Sequence, residues 1–315
     1  GTSPLAPGSS TTVGAASDRS APIVVLEVRN PDGRFHTAVL EPGAARPLAI
    51  TAATAERQNP VISPDGLSVA FQRLQPHPLT GQPRWELFVI DPDGTDLKQV
   101  TGSLLGEGSS LPDPSLGPGT RWPSWSPDGR LLAYSCSGPT GLPQVCLSGA
   151  DGRGRRAITL EGEGFHQPVW SPDGKRIAAK REVRPGRVEL WVLDPDARRE
   201  PVHLPTPVLD ARGVTVTWLP DGTLVYPLTD DPAGAMRALD VATGVVRVIP
   251  ATGPVRFPIA CGQDQVLYLQ SSAPVDDTGL RTGALVLTGT DGSGTTVVLP
   301  PEEDQERVPS SCAMP

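Results

Sequence analysis

The chain has 315 residues, with 37 prolines, 34 glycines and a formal net charge of −8. Proline and glycine break helices and occur here at roughly twice their usual share, so the composition predicts many turns and little helix. No clustered basic run suits phosphate binding, and no apolar run approaches the roughly 18–20 residues of a membrane span. We therefore expect neither a nucleic-acid partner nor a membrane-spanning segment.

Residues 1–21 have the Ser, Thr, Gly, Ala and Pro composition of a linker. Such a segment is typical of a tether between an exported domain and a membrane anchor, and equally of a frayed terminus. We predict a flexible N-terminal linker over 1–21 and a single domain over 22–315. Whether the native N-terminus carries a signal or lipid anchor stays open.

One motif then recurs along the chain: a short strand, a Ser-Pro-Asp-Gly turn and a second apolar strand. Pro fixes an early turn position, Asp bonds to nearby backbone amides, and Gly takes a positive φ. The flanking segments alternate as hairpin strands do. The copies are NPVISPDGLSVAF (59–71), WPSWSPDGRLLAY (122–134), QPVWSPDGKRIAA (167–179), VTVTWLPDGTLVY (214–226) and the degenerate RFPIACGQDQVLYL (256–269).

Each copy is followed by a further strand, an Asp-rich or Gly-rich turn and another strand, as in ELFVIDPDGTDLKQVT (86–101). A repeat is thus four strands, a to d, and four strands in about 40–50 residues is the period of a β-propeller blade. The interval between Asp65 and Asp128 is longer. It contains GSLLGEGSSLPDPSLGPG (102–119), which we interpret as a surface loop inserted between blades.

The two ends of the chain complete one blade. PIVVLEVRN (22–30) and the two strands after it resemble strands b, c and d without a strand a. ERVPSSCAMP (306–315) aligns with TRWPSWSPDG (120–129) and supplies that missing strand, which also removes an exposed sheet edge. The prediction is an all-β, six-bladed propeller of four-stranded antiparallel blades, closed by the C-terminal strand; five or seven blades are alternatives if an end is misread.

The four cysteines fit this arrangement. Cys136 and Cys146 lie in strands b and c of one blade, so a disulfide would staple that hairpin. Cys261 and Cys312 lie in the a-strands of the last blade and the closing blade, where a disulfide would lock the ring. Their loop of about fifty residues is worth on the order of 4 kcal/mol in the chain-entropy model. The even number favours an oxidising compartment, although four free thiols in the cytosol are the alternative.

The SPDG pattern, in several copies in phase, resembles the TolB-type β-propeller repeat over nearly all of 22–315. The resemblance implies a propeller fold and membership of a group that includes periplasmic TolB, which binds a peptidoglycan-associated lipoprotein, and the propellers of several peptidases. The chain departs from both, because it shows neither the α/β domain that precedes the TolB propeller nor a GxSxG nucleophile motif. It looks like a free-standing propeller.

Most residues that invite a chemical interpretation have a structural one. The SPDG aspartates are turn formers, and Trp125, Trp170 and Trp218 share one repeat position suited to packing between blades. The DPDGTD sequence at 91–96 lacks the full ligand spacing of a calcium loop. No His or Cys spacing nominates a metal site, and we expect no cofactor.

One set of positions is a candidate binding site. Two residues before the motif proline, the a-strands would place three Arg and one His around one mouth of the channel. Arginine forks bind carboxylates well, so this collar would hold a carboxylate-bearing peptide or small anion. The alternative is that each Arg pairs with an acid of a neighbouring blade. The predicted collar residues are Gln58, Arg121, His166, Arg256 and Arg307, with Val214 at the sixth position.

The function predicted from these features is a non-catalytic, extracytoplasmic binding scaffold. Its predicted location is the periplasm or the cell surface, either with or without a lipid anchor. It would act as a monomer with a protein or peptide partner in the cell envelope. Two alternatives are a metal-dependent hydrolase or lyase centred on the channel, and a sensor propeller for a small ligand.

Overall fold

The computed structural model describes residues 22–76, 81, 83–102, 120–137, 142–207, 209–210, 215–227, 235–251, 253, 255–271, 283–301 and 306–313. The predicted linker 1–21, residues 103–119 of the predicted insertion and Val214 lie outside these ranges. Strands and turns make up the described part of the chain, and no helix occurs in it.

Six antiparallel sheets form the blades. In each sheet strand a pairs with b, b with c, and c with d. The strands of the first three blades are β25 (Glu306–Ala313), β1 (Ile23–Arg29), β2 (Phe35–Leu40) and β3 (Leu48–Ala49) in blade 1; β4 (Val61–Ile62), β5 (Val69–Pro76), β6 (Pro83–Ile90) and β7 (Lys98–Gln99) in blade 2; and β8 (Arg121–Trp125), β9 (Leu131–Ser137), β10 (Pro143–Gly149) and β11 (Arg156–Ala157) in blade 3.

The strands of the other three blades are β12 (Phe165–Trp170), β13 (Ile177–Arg184), β14 (Arg187–Leu193), β15 (Val202–His203) and β16 (Leu209–Asp210) in blade 4; β17 (Thr217–Trp218), β18 (Thr223–Pro227), β19 (Met236–Asp240) and β20 (Val246–Ile249) in blade 5; and β21 (Val255–Cys261), β22 (Gln265–Ser271), β23 (Gly283–Gly289) and β24 (Thr296–Leu299) in blade 6. Blade 4 has a fifth strand that the repeat pattern does not predict. It arises because the connection to blade 5 returns along the outer edge of β14 and buries Leu209 there.

The six inner a-strands form a closed ring, each touching the a-strand of the next blade. The connections from a to b and from c to d lie at one end of the ring, which we call the turn face. Those from b to c and from d to a lie at the other end, which we call the collar face. The a–b connections are uniformly short, whereas the collar-face connections vary from 185–186 to 100–120. Variation between repeats is thus concentrated at the collar face.

The C-terminal strand closes the ring, as predicted. β25 pairs antiparallel with β1 from Ile23 opposite Ala313 to Arg29 opposite Glu306. Cys261 and Cys312 form a disulfide between the inner strands of blades 6 and 1, with Cα atoms 5.3 Å apart. The structure also contains the second expected disulfide, which joins Cys136 and Cys146 within blade 3 with a Cα–Cα distance of 5.9 Å.

The SPDG turns have the local geometry that their residues favour. In blade 2, Asp65 Oδ1 accepts hydrogen bonds from the Ser63 hydroxyl (2.5 Å) and from the Leu67 amide (3.0 Å). Gly66 follows at φ +73°. The ionised Asp65 carboxylate accepts both hydrogen bonds and is stabilised by them. These bonds, the one from the Ser63 hydroxyl most strongly, hold the Asp65 pKa below its usual value. The turns at Asp128 and Asp173 repeat this bonding, so these carboxylates are structural.

The hydrophobic core lies between adjacent blades as six separate clusters of buried residues. The repeated tryptophans belong to these clusters and bridge the blades. The Trp125 indole donates to Val61 O of blade 2 (3.1 Å), and that of Trp218 donates to Val169 O of blade 4 (3.0 Å). Trp125 and Trp218 thus bury the ring while the N–H finds a backbone acceptor, whereas Trp170 Nε1 is buried without a partner among the described residues.

Candidate channel-mouth binding site

The predicted collar residues lie at the collar-face ends of the inner strands. Arg121 pairs with Ser135, His166 with Lys180, Arg256 with Leu269 and Arg307 with Val28. Gln58 lies just ahead of β4, where its carbonyl accepts the Gln72 amide of β5 at 2.8 Å. The repeat register therefore brings all five to the same end of successive blades.

The residue after each collar position has a left-handed backbone in four blades. These residues are Asn59, Trp122, Gln167 and Phe257, with φ between 44° and 55°. A non-glycine residue in this region costs about 1 kcal/mol or more, so the surrounding structure must hold it there.

Hydrogen bonds between blades supply that support. The turned amide of Trp122 donates to Gln72 Oε1 of blade 2 (3.0 Å), and that of Gln167 donates to Ser135 Oγ of blade 3 (2.8 Å). Glu27 of blade 1 takes the same position and accepts the Asn59 amide at 2.9 Å. The repeat motif alone did not single out these residues. Their signal was a polar residue at one repeat position inside an otherwise apolar b-strand.

Gln58 is a buried structural residue of the collar. Its Oε1 accepts the hydroxyls of Thr37 and Thr51 at 2.7 Å each, and its Nε2 donates to Ala52 O at 3.1 Å. Its backbone amide donates to Glu27 at 2.7 Å. With its side-chain polar atoms engaged in this way, Gln58 fixes the connection from blade 1 to blade 2.

Arg121 and His166 differ from Gln58, because each has a buried side-chain nitrogen without a hydrogen-bond partner among the described residues. The Arg121 guanidinium carbon lies 4.7 Å from the Trp85 ring centroid, a cation–π arrangement. Burial lowers the Arg121 pKa from its ordinary value, and the guanidinium remains charged at neutral pH. Burial, and secondarily the charge of Lys180, lowers the His166 pKa to about 4, so its imidazole is neutral at pH 7. The rings of Trp122 and His166 lie 5.8 Å apart and link the two blades.

Lys180, in β13 beneath His166, is a fully buried lysine that the repeat pattern did not nominate. It donates to Gln167 Oε1. Burial in a medium that penalises the charged amine lowers its pKa to about 7.

The adjoining part of the mouth, at the seam of blades 1 and 2, carries two carboxylates paired with one arginine. Arg57 lies 2.7 Å from Glu27 and 3.6 Å from Glu306, and both carboxylate side chains are almost completely buried. Arg307, next to Glu306, is also buried. The described collar is thus polarised, with paired carboxylates at the seam and Arg121, His166 and Lys180 across blades 3 and 4.

No group of three or more His, Cys, Asp or Glu in the described residues is arranged to hold a metal ion. Within the same ranges, no helix is long and apolar enough to cross a membrane. The part of the collar around Arg121 and His166 offers a guanidinium, a neutral imidazole and two indole rings at one end of the ring of inner strands.

Solved structures share this architecture. TolB from Acinetobacter baumannii aligns with a TM-score of 0.65 and 19% identity, over 96% of this chain and 68% of that one. A putative TolB from Agrobacterium tumefaciens aligns with a TM-score of 0.59 and 17% identity, over 91% and 98%. The chain folds as a TolB-type β-propeller.

Solved structures of other proteins share this propeller fold. A chain of the nidogen/laminin complex aligns with a TM-score of 0.63 and 11% identity, over 92% of this chain and 97% of that one. A puromycin-hydrolyzing peptidase of Mycobacterium tuberculosis aligns at 0.55 and 16% identity, but the propeller spans only 45% of it. No protein-family model and no curated protein sequence matches the chain. At these identities the likeness establishes the fold, and function has to be argued from the site.

Proposed function

We propose that this TolB-type propeller is a non-catalytic, extracytoplasmic scaffold that binds a protein or peptide partner of the cell envelope at its collar. The propeller is shared with TolB and with a chain of the nidogen/laminin complex, which makes protein binding the function class that the fold favours. In this proposal the propeller acts as a monomer, and residues 1–21 tether it to a lipid anchor.

The cysteines support an extracytoplasmic location. All four are in disulfides. Cytosolic glutathione and thioredoxin keep thiols reduced, whereas the periplasm and cell surface allow such bonds to persist.

The observation that carries collar binding concerns two buried nitrogens on adjacent blades. Arg121 Nε and His166 Nδ1 are buried without a hydrogen-bond partner among the described residues. Buried polar atoms are normally satisfied, and an unsatisfied one costs about 1–3 kcal/mol. A carboxylate whose oxygens accept from Arg121 Nε and from a protonated Nδ1 of the neutral His166 would satisfy both atoms. A peptide with a free C-terminal carboxylate is the simplest ligand of this kind.

A pair of short peptides that differ only at the C-terminus tests this proposal. Isothermal titration with acetyl-trialanine as the free acid and as the amide should show at least ten-fold tighter binding of the acid. Arg121→Gln should abolish that preference. Arg153→Gln, on the turn face with a side chain 90% exposed, is the matched control and should retain it. Equal binding of acid and amide, or an unchanged preference in Arg121→Gln, would contradict the proposal.

A further inference from the structure

The outer wall between blades 4 and 5 carries an apolar surface away from the collar. Val202 on β15 and Val246 and Val248 on β20 are 59%, 43% and 52% exposed. Removing apolar side chains from water is favourable, so a cluster of exposed valines is a candidate contact surface.

Strand register shows that these valines face one another across the gap between the blades. Val202 pairs with Val192, and Val246 pairs with Leu239. Val192 and Leu239 both belong to the core cluster between blades 4 and 5. Directly paired residues share a face of a sheet, and Val248 lies two residues beyond Val246 on the same face. The three exposed valines therefore extend the interblade core outward as a groove, which we call the rim groove.

β20 also offers a backbone edge along this groove. Among the described strands it pairs only with β19. It has four residues, as does β24 in blade 6, whereas the outer strands β3, β7, β11 and β15 have two. An outer strand presents unpaired N–H and C=O groups that can accept a further extended strand.

The side chains of β20 determine which residues would be complementary in a strand that adds to this edge. Val246 and Val248 face the rim groove, and Arg247 between them faces blade 6, where its guanidinium donates to Thr290 O (2.6 Å). No carboxylate of a described residue lies in ion-pair distance of Arg247. Asp291 accepts the Ser293 amide, and it is near enough to Arg247 for the guanidinium charge to contribute, after the Ser293 hydrogen bonds, to lowering its pKa. A complementary strand would therefore alternate apolar and acidic residues.

A second copy of the chain fits this edge poorly. Antiparallel pairing of β20 with itself about Arg247 would place two guanidinium groups directly opposite each other, and like charges at directly paired positions are destabilising.

We propose that the rim groove binds an extended segment of a protein partner in which apolar residues alternate with Asp or Glu. The segment adds to the edge of β20, its apolar side chains pack on Val202, Val246 and Val248, and its carboxylate pairs with Arg247. This site is separate from the collar on the inner strands.

Two fluorescein-labelled probes test the proposal, one with the core Val-Glu-Val-Glu-Val and one with Val-Lys-Val-Lys-Val, each flanked by Gly-Ser and amidated at the C-terminus so that the collar is offered no free C-terminal carboxylate. Fluorescence anisotropy should show the acidic probe binding at least ten-fold more tightly than the basic one. Arg247→Glu should reverse that preference, and the double substitution Val246→Ser, Val248→Ser should weaken both probes at least five-fold. Leu48→Ser on β3, an outer-strand residue that is 58% exposed, is the control and should change neither probe.

Three results would overturn the proposal. They are equal affinity for the two probes, absence of binding up to millimolar protein, and an Arg247→Glu variant that keeps the original preference. Sedimentation velocity adds a fourth: a dimer that the valine substitutions dissociate would assign the groove to a second copy. Thermal unfolding of each variant should match the parent chain, because the substituted side chains are exposed.

Discussion

At the residue scale, the collar shows that one repeat position can hold side chains with unrelated tasks. The Gln58 side chain is engaged in hydrogen bonds within the protein. Arg121 at the equivalent position stacks on Trp85, and its buried Nε has no hydrogen-bond partner among the described residues. The sequence could align these residues because the motif fixes their register. It could not separate them, because the difference lies in what the neighbouring blade presents to each.

Lys180 leads to a prediction about pH and stability. Its pKa is about 7 in the folded chain and about 10.4 when unfolded. Between these values the unfolded state binds more protons, so stability rises with pH from about 7 to about 10, by up to about 1.4 kcal/mol per pH unit. Lys180→Met should remove this slope. Urea unfolding at pH 7 and pH 9.5 measures it, with exposed Lys175→Met as the control that keeps the parent slope. A parent chain with no such slope would show that the buried amine does not titrate in this range.

At the element scale, the turns position the blades as well as reversing the chain. Gly129 has φ +68° and an added Cβ would first meet Pro64 Cδ of blade 2 at 4.0 Å. Gly152, in the β10–β11 connection, has φ +81° and an added Cβ would lie 2.4 Å from Val100 O of blade 2. Both glycines were predictable as turn residues, but only the structure shows that Gly152 touches another blade's backbone.

Alanine substitutions should separate these two roles. Gly129→Ala should cost about 1 kcal/mol from positive-φ strain alone. Gly152→Ala should cost about 1–3 kcal/mol more, because a rigid backbone carbonyl must move as well. Chemical denaturation measures both free energies of unfolding. Equal losses in the two variants would contradict the close approach between blades 2 and 3.

At the scale of the whole molecule, closure depends on strands from the two ends of the chain. β25 is held by pairing with β1, by the disulfide to β21 and by the buried charges around Arg57. The pairing of β25 with β1 joins segments that are nearly the full chain length apart, and the disulfide ties β25 to blade 6. The loss of these contacts therefore affects the ring rather than one blade.

The two disulfides should therefore differ in their contribution. In the chain-entropy model, removing the Cys261–Cys312 bond across its sequence separation of 51 costs about 4 kcal/mol, and removing the Cys136–Cys146 bond across a separation of 10 costs about 2.7 kcal/mol. Double alanine variants compared by denaturation should show this order. Hydrogen exchange should also quicken at β1 and β25 in the first variant only. Faster exchange confined to blade 3 in both variants would contradict the role of the first disulfide in closure.

The sequence by itself determined the turn chemistry and the four-stranded repeat, and it predicted six blades and the closing strand while leaving five or seven blades as alternatives. These follow from local rules repeated in phase: alternation in strands, positive φ at glycine, and a fixed distance from each turn to the next. The cysteine positions in that repeat were enough to pair them.

Only the tertiary structure decided what each repeat position does. The left-handed residues and their acceptors Glu27, Gln72 and Ser135, the buried Lys180, the fifth strand of blade 4 and the rim groove all depend on contacts between neighbouring blades. Such contacts join residues far apart in the chain, and their energies depend on burial and on the partner's polarity. A local sequence pattern contains neither quantity.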